Sequence, residues 1–205
     1  MTCNIHVEKL SEFLAGLPIY YFIVPFIIHF MFTDMLAKSA KLIEHHPPLH
    51  DIIMSNFPDW SKYSNVVNIL LGFIFSFLLV FWFQTGNTEI LKSFFKYFAI
   101  VILIRSITTQ VTLIPSQSIC TPPNGIQKYI NGHCIDKIFS GHTSLSLILV
   151  ILYSKYGVVN KPCLYGLIAI QILTAFMSIV TKSHYTIDII LAYIITFGVC
   201  CLFDL

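Results

Sequence analysis

Two histidines and an aspartate stand out in this chain as residues able to do chemistry together. His184 and Asp188 lie four positions apart in SHYTIDII, where the last apolar segment begins. Positions i and i+4 share one face of an α-helix. Asp188 can then accept a hydrogen bond from one imidazole nitrogen of His184, fixing its tautomer and leaving the other nitrogen aimed at a substrate. This is the logic of a nucleophile held by an orienting group. His142, in FSGHTS, begins another apolar segment. Ser140 reads as its N-cap, and the open amides at Gly141 and His142 favour an anion. Two histidines, a carboxylate and an amide-rich helix start suit phosphoryl chemistry. One histidine attacks phosphorus, while the other protonates the leaving oxygen and later deprotonates the acceptor. Arg105 adds a permanent cation whose fork matches two phosphate oxygens. Each feature has a plainer reading by itself: a His–Asp pair closing a helix end, or an Arg holding helix-end carbonyls. Their convergence on one level of the molecule decides for chemistry.

The elements that must position these residues are membrane helices. The chain of 205 residues is 56% hydrophobic and only 11% charged, about half the charged share of a soluble domain. A helix needs roughly 20 mostly apolar residues to cross the hydrocarbon core. Phe13–Thr33 and Tyr63–Thr88 contain no Asp, Glu, Lys or Arg. Phe94–Ile114 is apolar apart from Lys96 and Arg105, and Ile138–Ser154, Pro162–Thr181 and Thr186–Phe203 follow, the last carrying Asp188. Runs such as LGFIFSFLLVFWF do not alternate, which argues against a spanning β-barrel. The expected fold is therefore all-α, a six-helix membrane bundle forming one domain over residues 1–205. Phe13–Thr33 reads as a retained helix rather than a signal peptide, because Glu8, Lys9 and Glu12 give no clear positive flank.

Six crossings place both termini on one side, and the starts of the fourth and sixth segments on the other. Lys9, Lys92, Lys96, Lys155 and Lys161 then face Lys38, Lys41, Lys62, Lys128, Lys137 and Lys182 across the membrane. With the lysines so evenly divided, the positive-inside rule favours neither orientation. Basic and acidic residues nearly cancel, so there is no field for nucleic acid. Cys120 and Cys134 share one expected loop and could pair on an oxidising side, whereas Cys3, Cys200 and Cys201 could be lipidated or simply buried. His29 reads as a satisfied bundle histidine. His45, His46 and His50 lie in a Pro-rich loop without the spacing that would support a metal site.

The motifs resemble the sphingomyelin synthase family of the lipid phosphate phosphatase superfamily. Ser140–Thr143 reads S-G-H-T and His184–Asp188 reads H-Y-T-x-D, about forty residues later. HPPLHDIIMSNFPDW at His46–Trp60 is similar to the family's P-P-L-P-D loop, and RSITTQVTLIP at Arg105–Pro115 to its R-x-I-T…L-P segment. Cys120 and Cys134 also stand where family cysteines recur. The likeness runs from about Pro47 to Thr196 in four ordered blocks. His50 departs from the family's usual proline, and Lys137 stands where an aromatic is common. The resemblance implies transfer of a phospholipid head group to the primary hydroxyl of ceramide, with release of diacylglycerol. His142, His184 and Asp188 would be catalytic, with Arg105, Asp136, Ser140 and Gly141 on the substrate. Asp136 stands where an acidic residue influences head-group choice, and an Asp there resembles choline-using members. Phosphatidylcholine is thus the expected donor, with phosphatidylethanolamine or a phosphoinositol lipid as alternatives. No cofactor is implied, since one phosphate ester is exchanged for another. A lumenal or extracellular active site at the Golgi or plasma membrane, with cytosolic termini, also comes from the resemblance. A homo-oligomer stays open. The nearest rival is a lipid phosphate phosphatase, which would lack an acceptor lipid. Ser178 is followed by Ile179 rather than Arg, and no K-x-x-x-x-x-x-R-P stands upstream, against the phosphatase pattern.

Overall fold

The computed structural model describes residues 23–25, 27–32, 35, 47–115 and 138–203. Among them there is no strand. A one-turn helix α1 (Ile52–Ser55) is followed by a 3-10 turn at Ser61–Tyr63 and five long helices. These are α2 (Asn65–Thr85), α3 (Thr88–Val111), α4 (Gly141–Tyr156), α5 (Lys161–Val180) and α6 (Thr186–Phe203). Residues 23–25 and 27–32 are also helical, within the first expected span. Capping chemistry sets several boundaries. The side chains of Asn87, Ser140 and Asn160 each accept from an amide in the first turn of α3, α4 and α5. α2 and α4 end at Gly86 and Gly157, both in the left-handed conformation that closes a helix at little cost for glycine.

α4 is the hub, packed against α2, α3, α5 and α6. Nine of its 16 residues are buried, including Ile148, Leu149, Leu152 and Tyr153. Tyr153 donates its hydroxyl to the Ile74 carbonyl across the α2 contact, at 2.6 Å. The surrounding helices show the opposite pattern from a soluble protein. Ile69, Val80 and Phe83 of α2, Tyr165 of α5 and Ile194 of α6 are exposed. Thr143, Ser144, Ser146, Gln171, Thr174, Ser178 and Thr196 are buried. Apolar outside with small polar residues between helices is the arrangement a lipid environment favours, since packing and interhelical polar contacts replace the hydrophobic effect.

Among the described residues, three helical stretches are long and apolar enough to cross a membrane: Ser61–Thr85, Lys161–Val180 and Thr186–Phe203. They make this a membrane protein by composition and length, and most of the first expected span, Phe13–Thr33, lies outside the described residues. The expected third span, Phe94–Ile114, starts six residues inside a longer helix that opens with Glu89, Lys92 and Lys96 and ends at Val111. The expected fourth, Ile138–Ser154, is a helix of 16 residues that begins only at Gly141. Burial explains this: a helix enclosed by its neighbours meets little lipid, so its serines need not be excluded. Between α5 and α6 the chain turns at Lys182, whose φ of 58° is left-handed. That turn is braced by the segment before α2. Trp60 donates its amide to the Val180 carbonyl, Leu49 its amide to the Tyr185 hydroxyl, and Lys182 pairs with Asp59 at 2.8 Å.

Candidate active site

The starts of α4 and α6 meet directly. The Ser140 amide donates to the Asp188 carbonyl at 3.3 Å, so the two motifs more than forty residues apart lie side by side. The Ser140 side chain turns the other way and accepts from the Thr143 amide, capping α4 as expected. Asp188 is completely buried in the first turn of α6. Its Oδ2 accepts from the Tyr185 amide at 2.9 Å and lies 3.6 Å from His184 Nδ1. One oxygen thus closes the helix end and faces the imidazole at once, so the structural and the chemical reading of the pair hold together. Asp188 Oδ1 is buried without a hydrogen-bond partner among the described residues. An unmet carboxylate oxygen is costly in such a place, and such groups concentrate at functional sites. With Nδ1 turned to Asp188, Nε2 is the ring nitrogen that His184 can offer to a substrate.

His142, on the first turn of α4, interacts electrostatically with both His184 and Arg105. Its Nε2 is 2.8 Å from Asn68 Oδ1 of α2. An amide oxygen can only accept, so in this arrangement Nε2 carries the proton. Asn68 is a site residue that sequence reasoning missed. Its signal is weak: one of several polar residues in an apolar helix, with no motif around it. Arg105 comes from α3, and its Nε donates to the Phe139 carbonyl at 3.2 Å. Phe139 is fully buried with a φ of 27°, outside the region that residues with a Cβ prefer. That backbone turn presents its carbonyl to Arg105 immediately before the Ser140 cap. Gly141 lies against the Arg105 side chain, where a Cβ would stand in ordinary contact, 3.7 Å from Nε. Residues 133–205 match a family model described as PAP2 superfamily C-terminal.

The matched stretch holds both histidine motifs and includes all of α6. It supports the lipid phosphate phosphatase superfamily and, with it, a phosphatase or phosphotransferase acting on lipids. The finer resemblance to sphingomyelin synthases is not decided by this match, which covers little more than a third of the chain. No curated protein matches the chain.

Six of the expected residues converge: His142, His184, Asp188, Arg105, Ser140 and Gly141, drawn from α3, the start of α4 and the start of α6. Asp136 lies outside the described residues, as do Cys3, Cys120, Cys134, His45 and His46. His29 bonds through Nδ1 to Ser106 Oγ at 3.2 Å, in keeping with a bundle role. Of the two cysteines near the end of α6, Cys200 is buried and Cys201 exposed, which leaves the latter accessible to lipidation. A cleft of about 390 Å³ lies nearby, lined by residues such as Leu49, Asp51, Phe57 and Lys182. None of the converging side chains lines it, so it neighbours the candidate site without forming it.

Proposed function

We propose that the chain transfers a phospholipid head group to the primary hydroxyl of ceramide, with phosphatidylcholine as the preferred donor. The observation carrying this reading is the meeting of His142 and His184 beside Arg105, with Asp188 behind one histidine. Six membrane crossings, one domain, and a lumenal or extracellular site belong to the same reading.

In the first step, His184 Nε2 attacks phosphorus while Asp188 stabilises the cation that develops on the ring. The phosphate–diacylglycerol bond breaks. His142, entering the step as the imidazolium, passes its Nε2 proton to the departing oxygen once the substrate displaces Asn68, which leaves the ring neutral. The head group is then held as a phosphohistidine on His184. In the second step, the ceramide hydroxyl gives its proton to His142 and attacks phosphorus, releasing His184. Charges and protons return to their starting places, so the cycle consumes no cofactor. Arg105 holds the phosphate oxygens, bringing electrostatic stabilisation where charge accumulates. Ser140 and Gly141 supply the amide-rich start of α4. A site among helices keeps water scarce, which favours transfer to a lipid alcohol over hydrolysis.

The test is product analysis in vesicles containing the purified protein and fluorescent ceramide, with phosphatidylcholine, phosphatidylethanolamine and phosphatidylinositol supplied separately. One new sphingolipid that tracks phosphatidylcholine and vanishes in His184→Ala is expected. A product from another donor would change the head group assigned. Phosphate release from phosphatidic acid, without transfer from any donor, would replace the transferase reading by a phosphatase.

A further inference from the structure

We propose that Asp51 is a positioning residue for His184, acting through Thr186. Its carboxylate is the point where the segment before α2 grips the start of α6. Asp51 Oδ2 accepts from the Thr186 amide at 2.6 Å, and Oδ1 from the Thr186 hydroxyl at 2.8 Å. Oδ1 also accepts from the Met54 amide at 3.1 Å, capping α1. One carboxylate thus caps α1 and holds the start of α6, 135 positions further along the sequence.

Thr186 stands midway between His184 and Asp188. Its amide is one of those at a helix start that no intrahelical carbonyl can satisfy. Asp51 satisfies it from outside, while Asp188 satisfies the Tyr185 amide from within the helix. The two carboxylates grip successive amides, so the backbone from His184 to Asp188 is held at both. The Tyr185 side chain adds a third anchor, since its hydroxyl accepts from the Leu49 amide and donates to the Pro115 carbonyl. Burial disfavours ionisation of Asp51, yet the hydrogen bonds from Thr186 and Met54 outweigh it and hold its pKa below the ordinary value. The carboxylate form is therefore the one the fold uses. An ionised acceptor bound twice to one residue gives orientation as well as energy. Small displacements of a nucleophile are expensive in rate, and His184 sits only two residues from this grip.

Asp51 touches no reacting atom in the proposed reaction, on which this inference rests, so its effect should fall on the rate rather than on lipid binding. Asp51→Asn keeps the shape but turns an amide N–H₂ toward a donor. It is expected to lower kcat roughly tenfold, with KM for the phospholipid donor within about twofold. Thr186→Val should give a similar loss, and Thr186→Ser should recover most of it. The double variant Asp51→Asn/Thr186→Val should be no slower than the worse single variant, because both cut one connection. Losses that multiply, or a change in KM with kcat intact, would overturn the proposal. Should Asp51→Asn fail to fold, Thr186→Val and Thr186→Ser decide by the same kcat comparison. Should the wild-type protein turn over no lipid, the functional reading fails separately. Modification by diethyl pyrocarbonate, followed by mass spectrometry, then decides for Asp51. A changed rate at His184 relative to His142 in Asp51→Asn sustains it, and an unchanged ratio rejects it.

Discussion

The two histidines of the candidate site have different supports. His184 stands before a buried carboxylate, Asp188, whose Oδ2 is 3.6 Å from Nδ1. His142 stands against a neutral amide, Asn68 Oδ1, 2.8 Å from Nε2. A carboxylate stabilises an imidazole that becomes cationic, as a ring does when it forms a bond to phosphorus through its other nitrogen. An amide oxygen only fixes which nitrogen holds the proton, and it can be displaced at little cost. In the proposed reaction this difference suits His184 to the covalent role and His142 to the proton-carrying one, although His142 lies in the first turn of α4 and His184 just before α6.

This asymmetry ranks the effects expected of substitutions. The largest belongs to His184→Ala, which should reduce turnover by at least about a thousandfold and abolish any phosphoenzyme. Trapping with labelled phospholipid measures this, and residual phosphoenzyme would move the nucleophile elsewhere. His142→Ala should slow turnover by about a hundredfold to ten-thousandfold, while a slowly formed phosphoenzyme still accumulates in quenched single-turnover experiments. If both variants lose the phosphoenzyme equally, the two roles are not separate. Asp188→Asn should cost about a hundredfold in kcat. Asn68→Leu should cost about tenfold or less, and steady-state kinetics in the same vesicles rank the two. A loss in Asn68→Leu as large as that in Asp188→Asn would erase the difference between the supports.

The smallest effect concerns pH. The Lys182 ammonium and the Ser61 groups hold exposed Asp59 at a pKa of about 2, below its ordinary value of 3.8. A carboxyl with a depressed folded-state pKa stabilises the fold above its unfolded pKa, and that contribution disappears as pH falls through the folded value. Melting followed between neutral pH and about pH 2 should therefore show a small destabilisation in Asp59→Asn that vanishes at the acidic end. A difference that persists there would mean Asp59 acts through its shape and not its charge.

The pairing of His184 with Asp188 was legible from their close spacing, but its form was not. α6 begins only at Thr186, so His184 lies just before the helix. The Tyr185 amide, bonded to Asp188 Oδ2, turns the chain so that the ring faces the carboxylate. The Ser140 cap was legible from spacing too: a serine before an apolar run satisfies the amide three residues on. Helix existence was legible too, since long apolar runs have few alternatives. The extent of the fourth segment was less so. α4 owes its 16 residues and its buried serines to enclosure by four neighbours, and no local window reveals what surrounds a helix.

Sequence by itself determined the chemical repertoire: two histidines, a helix-borne carboxylate, one arginine in an apolar stretch, and a chain too apolar for water. Those features reside in residue types and in spacings shorter than a few helical turns. Only the tertiary structure decided which distant groups serve them. Asn68 reaches His142 across 74 positions, Arg105 meets the Phe139 carbonyl across 34, and Asp51 grips Thr186 across 135. Such contacts depend on how helices cross and where turns reverse the chain, and periodicity along the sequence carries no information on either.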